Sequence, residues 1–102
     1  MRALKFNDVY KMATILKKTK IKDQLNVEGM TQDEAGREFV FLIIENIPNA
    51  KEEINDFFGG LNGMTGEEFG ELEFDKVFDL VEEFISQPGL KNFFKSASRL
   101  MK

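Results

Sequence analysis

The chain has 102 residues, 42% of them apolar, with fourteen Lys and Arg against eighteen Asp and Glu for a formal net charge of −4. That length suits one compact domain, and the acidic balance argues against a surface that binds nucleic acid phosphates throughout. Cysteine and histidine are both absent, which excludes disulfide scaffolds, thiolate zinc sites, Cys–His nucleophile pairs and any reaction with imidazole as its base.

The first residues, Met1 to Lys5, resemble the charged start of a signal peptide, but no uninterrupted apolar stretch of about seven residues or more follows them. Signal peptides need such a stretch, so the expectation is a soluble chain that stays in the cytoplasm where it is made. A first helix is predicted over 8–18, capped by Asn7, with Val9, Met12, Ala13 and Leu16 on one face. Asp8 in its first turn and Lys17 and Lys18 in its last suit the helix dipole. A further short turn fits 20–25, ended by Gly29. Thr31-Gln-Asp-Glu34 is a capping box that opens a second helix running to about Asn46. Inside it the longest apolar run, Phe39 to Ile44, covers every side of the helix. Such a segment belongs in the centre of a core, and it is far shorter than the ~20 residues a bilayer requires.

Pro48 interrupts the chain, and Asn49 is placed to cap a third helix to about Phe58. Its apolar stripe, Ala50, Ile54, Phe57, Phe58 and Leu61, runs into a glycine-marked loop over 59–63. Thr65-Gly-Glu-Glu68 is a second capping box, leading into a short turn around Phe69. Asp75 is positioned to cap the next helix, to about Ser86. Val77, Phe78, Leu80, Val81, Phe84 and Ile85 cover an arc of about 160° there, at 100° per residue. Gln87-Pro88-Gly89 punctuates before a last helix over 90–101, whose apolar residues Leu90, Phe93, Phe94, Ala97, Leu100 and Met101 occupy about 120° of the wheel. Lys91, Lys95 and Arg99 stack on another side. No stretch alternates convincingly with period two. The fold expected is all-α: a single small domain, 1–102, of five or six short helices.

Charge falls in blocks. Residues 1–22 carry seven basic side chains and one acidic, residues 23–87 carry three basic and seventeen acidic, and residues 88–102 carry four basic and none acidic. Basic ends can fold back on the acidic middle of their own molecule or meet that of another, which predicts weak, salt-dependent self-association. Eleven Phe stand beside one Tyr and no Trp. Such a set makes a Phe-rich core, or leaves several rings on a partner surface.

Motifs for chemistry fail on inspection. An EF-hand loop starting at Asp23 or Asp56 lacks oxygen ligands at its third and fifth positions. The glycines at 60, 63 and 66 lack the Lys-Ser/Thr of a phosphate loop. Ser86, Ser96 and Ser98 have no lysine three residues on. The paired glutamates at 52/53, 67/68 and 82/83 lie on polar helix faces rather than in an apolar cleft. No enzyme activity, cofactor or metal site is expected, and neither nucleic acid nor membrane is an expected partner.

From Phe57 onward the chain is similar to tail assembly chaperones of long-tailed bacteriophages and prophages of Gram-positive bacteria. The loop FFGGLNGMT, the turn EEFGELEFD, the helix LVEEFI and the terminal FFKSA carry the resemblance. The basic first helix, KFNDVYKMATILKKTKIKD, is compatible with it, and the middle of the chain is not covered. The resemblance implies a small, mostly helical, non-enzymatic cytoplasmic protein absent from the finished virion. It would coat the tape-measure protein and help recruit tail-tube subunits, and it would be the short form where frameshifting makes a longer one. Pro88 and Gly89 would let the last helix detach, making Leu90, Phe93, Phe94, Ala97, Leu100 and Met101, with Lys91, Lys95 and Arg99, the candidate partner-binding residues; docking of the same helix into the core is the competing expectation. An acidic DNA mimic and a small regulatory interaction module are the alternative functions.

Overall fold

The computed structural model describes residues 1–20, 28–43 and 50–100, and the backbone of 44–46. Among these residues it is all-α, with six helices: α1 (Phe6–Thr19), α2 (Gln32–Asn46), α3 (Lys51–Leu61), α4 (Gly66–Gly70), α5 (Phe74–Ile85) and α6 (Leu90–Arg99). The radius of gyration is 12.5 Å, close to the ~13 Å of a compact domain of about 100 residues.

Both capping boxes form. Thr31 Oγ1 accepts the Glu34 N–H at 3.2 Å while Glu34 accepts the Thr31 N–H at 2.9 Å. Thr65 and Glu68 repeat the exchange at 3.0 and 2.9 Å. In each box these donors hold the glutamate below the usual carboxylate range.

Three starts differ from expectation. The cap of α1 is Lys5 rather than Asn7, because the Asp8 carboxylate reaches back to accept the Lys5 N–H at 2.7 Å. Ala50 caps α3, and Asn49 lies outside the described residues, as does the short turn expected over 20–25 apart from Lys20. Helix α5 starts from Glu73, which leaves Asp75 in its first turn, where a carboxylate favours the positive helix end. The loop expected at 59–63 begins later, since α3 continues through Gly59 and Gly60 to Leu61. A Cβ on Gly59 would meet the Thr65 carbonyl oxygen at 2.7 Å, so this glycine serves close backbone approach inside a helix. The turn itself is made at Gly63, with φ of 72°.

The core is aromatic. Phe84 of α5 lies 5.1–6.2 Å, centroid to centroid, from the rings of Phe39, Phe57, Phe58 and Phe94, which come from α2, α3 and α6. Seven of the eleven Phe are buried: these five with Phe69 and Phe93. The other four, Phe6, Phe41, Phe74 and Phe78, are exposed. Phe41 corrects the expectation that α2 is enclosed on all sides, because no described element covers its outer face.

The N-terminal segment is fastened on one side of the globule. Arg2 donates to both oxygens of buried Asp8 at 2.7 and 2.9 Å, its N–H reaches the Leu61 carbonyl at 2.9 Å, and Gln87 Nε2 donates to its carbonyl at 2.9 Å. Arg2 holds Asp8 below the usual carboxylate range, with the Lys5 N–H helping against the cost of burial.

Candidate functional site

The last helix is docked. Leu90, Phe93, Phe94 and Ala97 lie in the core, and the Leu90 N–H meets Gln32 Oε1 at 3.3 Å. Lys95 pairs with Glu28 at 3.3 Å, while Lys91 is half-buried and attracts Glu34. Arg99 and Leu100 are exposed, and Met101 lies outside the described residues. Of the nine candidates, then, Leu90, Phe93, Phe94 and Ala97 sit inside the globule, and in this docked state those four offer a partner no contact surface. The basic ends meet the acidic middle through this pair and through Lys18–Glu53 at 3.2 Å.

An open apolar surface lies elsewhere, between α2 and α5. Ile85 and Gly36 touch closely: a Cβ on Gly36 would lie 2.9 Å from Leu90 Cδ2 and 3.1 Å from Ile85 Cγ2. Toward the second half of α2 and the first half of α5, a groove of about 330 Å³ opens. Phe39, Ile54, Phe58 and Phe69 form its buried floor. Val40 and Ile43 wall it from α2, and Val77, Val81, Phe74 and Phe78 from α5. Phe74 is 78% exposed and Phe78 is 56% exposed. Among the described residues Asn55 is the one polar side chain in the lining.

A carboxylate rim follows from the same helix. Asp75 and Glu82 stand one turn to either side of Phe78, positions that share a helix face. From Gly66 to Ile85 there are eight acidic side chains and a single lysine, Lys76. At the tight end Arg37 bridges the two helices, reaching Asp33 at 2.9 Å and Glu82 at 3.5 Å.

In comparison with known proteins, no family model matches the chain, and neither does any curated protein or solved structure.

An apolar, acid-rimmed groove has the means to bind and little with which to do chemistry. Among the described residues no three acidic side chains gather as metal ligands, and no helix is long and apolar enough to cross a membrane. The sequence reading did not single out this groove, although a signal for it was present. An apolar arc of about 160° is wider than the ~100° stripe of a typical surface helix, so α5 presents more apolar surface than such a helix does.

Proposed function

We propose that this chain is a non-enzymatic tail assembly chaperone of a long-tailed phage or prophage, which binds the tape-measure protein and helps recruit tail-tube subunits. The observation that carries the reading is the groove between α2 and α5, with two Phe rings exposed on its wall. A monomeric soluble domain rarely keeps large apolar side chains together on its surface without a partner for them. An amphipathic helix laid in an apolar groove is a recurrent recognition mode, and a tape measure is a long, helix-rich chain whose apolar stripes need cover until the tube surrounds it. The resemblance from Phe57 onward supports the same reading and includes the segment that supplies Phe58, Phe69, Phe74 and Phe78.

The acidic DNA mimic is less well supported, because Phe74 and Phe78 interrupt the carboxylates of α5 where a phosphate-like array would be continuous. The test is coexpression with the tape-measure protein encoded in the same genome. Co-purification that is lost in the Phe74→Gln/Phe78→Gln variant is expected. A tape measure that stays equally soluble with and without this chain would overturn the proposal.

A further inference from the structure

The outer face of α1 carries a second unpartnered apolar feature. Phe6 and Tyr10, 71% and 51% exposed, pack edge to face with ring centroids 5.3 Å apart. They lie opposite the stripe that α1 buries, which includes Met12, Leu16 and Thr19. At 100° per residue the same outer face also holds Lys17, with Lys11 and Lys18 at its edge. This is an aromatic ridge in a basic setting, and the groove between α2 and α5 is an aromatic cleft in an acidic one. Because α1 packs against α3 and α6 by its inner face, its ridge points away from the globule and cannot enter the groove of its own molecule.

We propose that the groove takes α1 of a second copy of this chain, with Phe6 and Tyr10 entering beside Phe74 and Phe78 and Lys17 of that helix facing Asp75. The proposal rests on the reading of the groove as a helix-binding site and adds that, in the free protein, the occupant is the chain itself. Ridge and groove are different surfaces, so the contact is head-to-tail and a pair keeps one ridge and one groove free. Such a contact builds rings or open chains rather than a closed two-fold dimer. Exposed charges supply part of the attraction, and salt screens it. A client helix of the same chemistry would compete for the groove, so self-association and client binding exclude each other there.

Sedimentation of the full chain tests this. Wild-type protein is expected to associate with rising concentration at low salt, and about tenfold more weakly at several hundred millimolar salt. The groove variant Phe74→Gln/Phe78→Gln and the ridge variant Phe6→Gln/Tyr10→Gln should each run as monomers with wild-type helix content. Mixed together they should form a one-to-one pair and nothing larger, since one intact ridge meets one intact groove. A wild-type chain that is monomeric at high concentration and low salt overturns the proposal, as do variants that associate like wild type or a mixture that fails to pair. If the mixture fails to pair while tape-measure capture still depends on Phe74 and Phe78, self-docking falls and the chaperone reading stands. If the mixture pairs and capture fails, the reverse holds.

Discussion

Helices α6 and α5 are built alike, with apolar residues at three- and four-residue spacing and charges opposite, yet they end in different surroundings. Around α6 every apolar position through Ala97 is covered: α1 and α2 flank it, and the fastened N-terminal segment locks the neighbouring α1 through Arg2 and Asp8. Along α5 the C-terminal half is covered in the same way, with Phe84 and Ile85 buried, but Phe74 and Phe78 in its first half are exposed. The cause is the path of α2. It meets α5 tightly at Gly36, where a missing side chain allows contact, and leaves a groove lined by Ile43 on one helix and by Phe74 and Val77 on the other. An amphipathic stripe therefore states that a helix needs cover, and the neighbours decide how much it receives.

Substitutions on the two sides should separate by size of effect. Phe94→Ala, on the covered side, removes a ring that touches Phe39, Phe84 and Phe93. It should cost about 3–5 kcal/mol in urea unfolding, a large part of the ~5–15 kcal/mol that holds a domain together. A cost below about 1 kcal/mol would mean that α6 undocks readily and would restore its apolar face as a binding element.

Asp8→Ala should come next, at about 2–3 kcal/mol, because it leaves the Lys5 N–H and the Arg2 guanidinium without their charged partner. The same pair sets a pH dependence. Asp8 has a lower pKa folded than unfolded, so its contribution is fully present above the unfolded value of about 4 and is lost as pH falls through the folded value. Thermal unfolding followed from neutral pH into acid should show wild type losing more stability than Asp8→Asn. Equal losses would mean that the fastening does not depend on the carboxylate charge.

Thr65→Ala removes a cap on the short α4, beside the groove floor at Phe69, and should cost about 1 kcal/mol. Smallest of all should be Phe78→Gln, within about 0.5 kcal/mol by the same unfolding measurement, since its ring already faces water. A large loss there would mean that the ring is covered in solution, and would bring the two sides of the molecule closer together than their exposure indicates.

Much of the fold could be read from the residues alone, and the reason is distance along the chain. The two capping boxes, the all-α class, the stripe of α5 and the break at Pro88-Gly89 each depend on groups within about four residues of one another. Their local geometry has few alternatives. Even the misplaced starts of α1 and α5 stayed within two residues, because Asp8 and Asp75 act at a helix beginning whether as cap or as first-turn charge.

Tertiary structure decided what local pattern leaves open. Gly59 and Gly60 have the composition of a loop, but they lie inside α3, where the 64–65 backbone packs closely against Gly59. Phe39 and Phe41 stand two residues apart in one apolar run, and only the first finds the Phe84–Phe94 cluster. Phe84 and Phe78 belong to one stripe, and only the first lies where α2, α3 and α6 converge. Burial is a property of the space between helices, set by where two axes approach and where they part, and a single helix contains no record of the angle at which its neighbour will cross it.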